Sequence, residues 1–363
     1  MPALSFYGSR VCHRSPIRQS SIRMVDIPEQ APGVAVAVIG AGVAGLLCAR
    51  TLTDHGARVT IFEKSRGVGG RCATRRVDAW CFDHGAQYFT VRDPRLAPFI
   101  ESWRQQGLIA LWQGALAVRE AGQWHPAKSG VHRWVAVPGM SALGAHLAAD
   151  LLVHRNTMVE RIERAGHRWR LIGGLGDELG AFDVVLACVP APQALQLLAP
   201  NAPALAQVIA TAEMHPVWAT MLVLAERPAV AWDGAFLNDD ETLSWISRNA
   251  SKPGRGFGET WVLHATREWT IRHLEDSADS VSDAMMTAYH AATGSTAVPV
   301  HAVSHRWRYA QPDPVVAAPA LYDAELGLGA AGDWCDGARV EGALLSGIAL
   351  AERVLTRANL ASA

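Results

Sequence analysis

The chain holds 363 residues, half of them apolar, and carries 33 basic against 34 acidic side chains for a formal charge of −1. That length exceeds one ordinary hydrophobic core and points to two domains, while the balanced charge gives no electrostatic case for nucleic acid or an anionic membrane as partner. No apolar run approaches the ~20 residues that a membrane-crossing helix needs.

Residues 1–33 are basic, with Arg10, Arg14, Arg18 and Arg23, and show no apolar periodicity. The long apolar stretch of a secretory signal is missing and Met24 offers a later start, so the segment is expected to be a disordered N-terminal extension. The six cysteines (Cys12, Cys48, Cys72, Cys81, Cys188 and Cys335) are scattered without a Cys-x-x-Cys pair. Their spacing argues against zinc and against a disulfide framework, and fits a cytoplasmic protein.

The apolar run Val34-Ala35-Val36-Ala37-Val38-Ile39 reads as a buried strand. It feeds Gly40-Ala41-Gly42-Val43-Ala44-Gly45, and Gly45-Leu46-Leu47-Cys48-Ala49-Arg50-Thr51-Leu52 continues as a helix. Strand, glycine turn and helix together gather free backbone N–H groups and the positive end of a helix dipole where a pyrophosphate can sit. Gly40 allows the tight turn, Gly42 admits the phosphate and Gly45 lets the helix pack on the sheet. A second strand, Arg58-Val59-Thr60-Ile61-Phe62, ends on Glu63, where the acid that binds an adenosine ribose is expected. Dinucleotide binding follows from that combination.

Next comes a second glycine-rich loop, Lys64-Ser65-Arg66-Gly67-Val68-Gly69-Gly70-Arg71. Cys81-Phe82-Asp83-His84-Gly85-Ala86-Gln87-Tyr88-Phe89-Thr90 reads as a strand broken by a glycine, residues 94–106 and 141–150 as helices. Thr157-Met158-Val159-Glu160-Arg161-Ile162 and Arg168-Trp169-Arg170-Leu171-Ile172 alternate as strands of a hairpin-like layer. Phe182-Asp183-Val184-Val185-Leu186-Ala187-Cys188-Val189, stopped by Pro190, reads as one buried central strand. From about 194 to 321 helices alternate with strands dense in tryptophan (Trp218, Trp232, Trp245, Trp261, Trp269, Trp307), each side chain belonging to core or to pocket wall. A glycine-rich turn around Gly332-Asp333-Trp334 then leads into a last helix whose Gly342, Ala343 and Gly347 permit close approach to something flat or to a neighbouring backbone.

Three places are candidates for chemistry. On the strand 300–309, His301, Val303, His305, Trp307 and Tyr309 share a face that either roofs a ring system or packs as a core layer. His264 closes the apolar strand Glu259-Thr260-Trp261-Val262-Leu263-His264, and Thr266 stands ready to cap the following helix in its place. In Arg248-Asn249-Ala250-Ser251-Lys252-Pro253-Gly254, Asn249 either orients a substrate amide or sits in a solvated turn.

The glycine fingerprint, Glu63, Gly69-Gly70-Arg71-x-x-Thr74 and Gly332-Asp333 before a Gly/Ala-rich helix resemble FAD-dependent oxidoreductases of the amine oxidase superfamily. Within it, Phe82-Asp83-His84-Gly85-Ala86-Gln87-Tyr88-Phe89 and His305-Arg306-Trp307-Arg308-Tyr309-Ala310 are similar to the bacterial renalase branch. The resemblance implies an α/β fold, a Rossmann-type FAD-binding domain with an inserted mixed α+β substrate domain. It divides the chain into a discontinuous FAD-binding domain (34–82, 137–193 and 322–358) and a substrate domain (83–136 and 194–321). It implies that Gly40, Gly42, Ala44 and Gly45 line the FAD pyrophosphate, that Glu63 binds the adenosine ribose, and that Arg71 holds phosphate or adjoining backbone. The Val159 backbone would meet adenine, Asp333 the ribityl or ribose hydroxyls, and Gln87 and Tyr88 the isoalloxazine ring. Lys64, Gly70 and Ala343 complete the cofactor set, with FAD held noncovalently. His264, His305, Trp307 and Asn249 stand for the reacting end.

The activity so implied is oxidation of a dihydronicotinamide, such as an isomer of NAD(P)H, by hydride transfer to flavin N5, with dioxygen reoxidising the flavin and releasing hydrogen peroxide. Two departures separate the chain from typical amine oxidases: Trp334 stands where a tyrosine is usual, and of the lysines only Lys128 and Lys252 lie in regions able to reach the ring. An amine oxidase, an oxidase or desaturase of an apolar substrate, and a non-catalytic binding protein of the same fold are the alternatives. The intact cofactor frame speaks against the last.

Overall fold

Ala35–Ile39 is buried at every residue, and a strand with no polar side chain can be satisfied only by neighbours on both edges and both faces. In the computed structural model, which describes residues 33–360, it pairs in parallel with Arg58–Phe62 on one side and Val184–Ala187 on the other. The sheet runs Leu321–Asp323, Leu328–Ala330, Val184–Ala187, Ala35–Ile39, Arg58–Phe62, Leu152–His154, with only the edge strand Leu321–Asp323 antiparallel. The chain leaves Ala35–Ile39 toward one edge and returns later on its other side. The carboxyl end of that strand is therefore the switch point at which such sheets bind ligands. The expectation for the N-terminal extension falls, Gly33 apart, outside the described residues.

Alternation sends Val36 and Val38 to one face and Ala35, Ala37 and Ile39 to the other. The first face packs with Leu46, Leu47, Leu344 and Leu350 from the helices Val43–Asp54 and Val340–Leu360. These helices nearly touch, since a Cβ on Gly347 would lie 2.3 Å from the Ala44 carbonyl oxygen. Gly347 of the last helix thus serves a neighbouring backbone. The second face packs on the antiparallel layer Val159–Ala165, Arg168–Gly173 and Glu178–Phe182 and on the helix Ala191–Leu198.

Three expectations change. The run 182–189 is two strands, because Asp183 leaves the antiparallel layer at Phe182 and turns into the parallel sheet, its Oδ2 accepting from the Ala35 amide at 2.9 Å. Within 81–90 only Trp80–Asp83 is strand, paired with Thr74–Val77; the rest runs irregularly, tied by the single bridge between Phe89 and Trp134. The helix over 141–150 is shorter, Ser141–Leu147, followed by a turn.

A second, mixed sheet has the order Pro299–Pro312, Met214–Leu224, Glu259–Ala265, Leu243–Arg248, Gly234–Leu237, Leu116–Glu120, Gln123–Pro126. The helix Ala278–Thr293 covers it, with Val281, Met285 and Tyr289 packing on Trp218, Trp232, Trp261 and Trp269. Most of the tryptophan-rich strands therefore build core.

The hairpin Thr74–Asp83 is locked to this second sheet by a buried polar cluster. Asp83 Oδ1 accepts from Thr74 Oγ1 (2.7 Å) and the Met140 amide (2.9 Å), while its Oδ2 accepts from Arg255 Nε (2.9 Å) and Nη2 (2.5 Å). Arg255 Nη1 donates to the Ala136 and Pro253 carbonyls, both at 2.6 Å. Both charged side chains are fully buried, so removing one strands the other in a dry interior. Arg255→Met is expected to lower stability by about 3–5 kcal/mol, read as a fall in the urea midpoint at unchanged slope.

Candidate active site

The helix Val43–Asp54 starts at Gly42 with no side chain capping its first turn, so its leading amides are available to an external anion. A Cβ on Gly42 would meet nothing within 4 Å, which leaves an open cradle above those amides. A Cβ on Gly45 would lie 2.2 Å from the Gly40 carbonyl oxygen. Gly45 is therefore a packing residue, and it is absent from the cavity wall, contrary to the expectation that it lines a pyrophosphate. Gly42 pairs with Gly69, whose amide donates to the Ala41 carbonyl at 2.7 Å, so the two glycine loops form one lip.

From this lip opens a cavity of about 2710 Å³, well above the roughly 300–1,000 Å³ of an ordinary ligand pocket. One end is walled by Glu63, Lys64 and Val159, the middle by Gly40, Gly42, Ala44, Gly70, Arg71, Asp333 and Ala343, and the other end by Gln87, Tyr88, Trp245, His264, His305 and Trp307. Glu63 is held by the Ala41 amide on Oε2 and the Ser65 amide on Oε1, both at 2.8 Å. Arg71 donates to both oxygens of Asp333 at 2.7 Å and to the Ala310 carbonyl at 2.8 Å, so its fork is spent on protein groups. An anion cradle, an acceptor carboxylate at one end and an aromatic chamber at the other match the pyrophosphate, adenosine and ring portions of FAD. Among the described residues no group of three or more metal-ligating side chains is placed to hold an ion.

At the aromatic end, the Trp307 ring stacks on His84 with centroids 5.1 Å apart, and His305 meets both rings edge-on. Trp307 Nε1 donates to the His84 carbonyl at 2.9 Å. His264 Nε2 lies 3.4 Å from Gln87 Nε2, and Gln87 Oε1 accepts from Lys252 Nζ at 2.9 Å. Burial pushes the His264 imidazole down to about 4, with the Lys252 charge adding to the effect. Burial, then His305, pushes His84 down to about 3. His305 is lowered by burial and by Arg75. The three imidazoles are neutral at neutral pH. Lys252, fully buried over the Trp112 ring, falls to about 7 because burial outweighs the attraction of Asp83.

Asn249 is not brought to the cavity. Its Nδ2 donates to the Cys81 carbonyl at 2.8 Å and its Oδ1 accepts from the Asp83 amide (3.2 Å) and Lys252 (3.3 Å), so the buried amide is satisfied internally. Thr266 caps the helix Arg267–Arg272, which leaves His264 to the cavity. Trp334 is fully buried and donates to the Val189 carbonyl at 3.0 Å, off the cavity wall. Sequence reasoning assigned no individual role to His84 or Arg75, gave Trp245 as core or pocket wall, and placed Lys252 in a polar loop able to reach the ring. The signal for Lys252 was its rarity among thirty arginines.

A family model described as flavin containing amine oxidoreductase matches residues 113–355, and one for an NAD(P)-binding Rossmann-like domain matches residues 38–103. The chain belongs to the flavin containing amine oxidoreductase family. It is an FAD-dependent oxidoreductase. Among curated relatives, a 4,4'-diapophytoene desaturase (4,4'-diaponeurosporene-forming) of Staphylococcus haemolyticus is 44% identical over 70 residues. That match covers 19% of this chain and 14% of the relative's length, so the chain spans only a small part of it. Among solved structures, a candidate protoporphyrinogen oxidase from Exiguobacterium sp. 255-15 aligns with TM-score 0.73 and 15% identity over 88% of this chain and 98% of that one. Cyclohexylamine oxidase from Brevibacterium oxydans aligns with TM-score 0.71 and 16% identity over 90% and 100% of the two chains. At such identities the likeness is one of fold.

The two turn glycines separate binding from folding. Gly42→Ala is expected to leave apoprotein stability within about 0.5 kcal/mol while weakening FAD binding at least about tenfold, whereas Gly45→Ala costs about 1–3 kcal/mol of stability. Urea unfolding of the apoprotein and FAD titration check both.

The histidines set an acid limit. Unfolded histidines take up protons near pH 6.5, whereas His264 and His84 resist until about 4 and about 3. The unfolded state then binds more protons, so their contribution is complete above pH 6.5 and is lost as pH falls toward 4 and below. The melting temperature is expected to drop across that window, and His264→Gln to reduce the drop.

Proposed function

We propose that this flavoenzyme oxidises a dihydronicotinamide, in the manner of the renalase-like branch, with the nicotinamide ring received against His84, His264, His305 and Trp307. The observation that carries the reading is the charge pattern of the cavity. Its aromatic end presents neutral imidazoles, indoles and Phe236 with no carboxylate among them, so a protonated amine desolvated there would lack a counter-charge. Over its whole length the wall carries ten arginines against five carboxylates, a balance that favours a phosphate-bearing substrate.

When bound, FAD supplies two-electron oxidation of the substrate and reoxidation by dioxygen with release of hydrogen peroxide. The chain's own residues orient and exclude water. Stacked Trp307 and His84 offer a flat wall to a planar ring. Gln87, fixed on its oxygen by Lys252 and donating to the Asp83 and Gly85 carbonyls, cannot swing its amide, and it presents one face to His264. Hydride loss from a dihydropyridine leaves no proton to remove, and the wall accordingly holds no ionised base beside the rings.

Amine oxidation is the competing reading, and Lys252 is the observation in its favour. Its Nζ, however, faces Gln87 from outside the cavity wall, and Lys128 is exposed and also off the wall. Anaerobic mixing of the holoenzyme with dihydronicotinamide isomers and, separately, with primary amines distinguishes the two. Bleaching of the flavin band by a dihydronicotinamide and not by amines is expected; bleaching by amines alone would overturn the proposal.

A further inference from the structure

We propose that Arg75 is a specificity-determining residue that binds an anionic phosphate group of the substrate beside the aromatic end of the cavity. The substrate class rests on the dihydronicotinamide reading above; the anion site rests on the arginine itself.

The cavity wall is rich in arginine, but most guanidiniums near the aromatic end are already engaged. Arg306 donates to the Leu274 carbonyl and to Glu275, Arg308 to Glu275, and Arg71 to Asp333. Arg267 lies 3.5 Å from Asp313. Arg75 differs. It lines the cavity from the strand Thr74–Val77, it is half-buried, and among the described residues no side chain or carbonyl accepts from it. The remaining unpartnered arginines of the wall (Arg66, Arg76, Arg92 and Arg155) are exposed, where water satisfies them.

A guanidinium carries five donors and keeps its charge at any pH the fold survives, so a half-buried one without a partner is an unmet demand for an anion. Its neighbours cannot meet that demand. The charge of Arg75 is felt by both His84 and His305, and both are neutral rings. Hairpin pairing sets Arg75 opposite Phe82, two residues before His84, on the face that packs against the strand Pro299–Pro312. The result is a flat ring wall with one fixed fork beside it. A ligand that stacks a ring on that wall and extends a phosphate toward the fork satisfies both, and the fork's parallel donors match phosphate oxygens.

The test uses the FAD-loaded enzyme as wild type, Arg75→Met and Arg75→Lys, titrated with 1,4,5,6-tetrahydronicotinamide mononucleotide and with the corresponding riboside, whose rings are neutral and give up no hydride. Both probes share the ring and sugar and differ by the phosphate, and binding is followed by perturbation of the flavin spectrum. The wild type is expected to bind the mononucleotide at least about tenfold more tightly than the riboside, as charge-assisted hydrogen bonds to phosphate require. Arg75→Met should bring that ratio to near one while leaving the riboside unchanged, and Arg75→Lys should restore part of it. An unaltered ratio in Arg75→Met, no preference in the wild type, or no binding of either probe would overturn the proposal. If the ratio depends on Arg75 but no dihydronicotinamide bleaches the flavin, the anion site stands and the substrate reading fails. If bleaching occurs with an Arg75-independent ratio, the reverse holds.

Discussion

One ionised carboxylate, Asp83, holds the working parts of this molecule in register. Sealed from water, it accepts from a threonine hydroxyl, a backbone amide and an arginine fork, each from a different stretch of chain. A lone charge in such a place would be untenable, and the attraction that rescues it also fixes where those stretches meet. His84 and Gln87 follow immediately in sequence and emerge on the cavity wall. Asn249 and Lys252 close behind them through the same cluster. The aromatic chamber is thus built outward from a salt bridge that touches no ligand.

Around that chamber the protein separates two electrostatic tasks. Along the glycine lip, backbone amides, a helix end and numerous arginines make a surface suited to phosphates. At the ring end, burial strips the histidines of charge and leaves them as aromatic walls with hydrogen-bonding edges. Lys252 lies between these regimes, close enough to depress His264 and shielded from the cavity by Gln87. One chamber can therefore accept an anionic molecule at its margin and a neutral ring at its centre.

How much of this was legible in the sequence depends on whether a residue type is demanded by backbone geometry or by a neighbour far along the chain. Gly40, Gly42 and Glu63 belong to the first kind: a tight turn, an open cradle and an acid at the next strand end require those residues at those spacings. The parallel strands were legible from unbroken apolar runs, and the antiparallel layer from alternation, for the same reason. Asn249 belongs to the second kind, because its amide could face a ligand or the Asp83 backbone, and only the fold decides in favour of the latter. Gly45 was read as packing the helix on the sheet and, by resemblance, as lining the pyrophosphate; its hydrogen is needed against the Gly40 carbonyl, which keeps the first role and not the second. Arg75 was one arginine among thirty, and its distinction is the absence of a partner, which no local pattern records.

The wall around the cofactor groove is drawn from distant stretches of chain: the phosphate cradle comes from residues 40–44, while Asp333 and Ala343 arrive nearly three hundred residues later. Synthesis therefore supplies the phosphate cradle long before the opposing wall. Until that late helix wedges against Ala44, a half-made chain displays an anion-binding turn with nothing to retain a dinucleotide. A groove walled in this way cannot close on a dinucleotide before Asp333 and Ala343 have been made and folded.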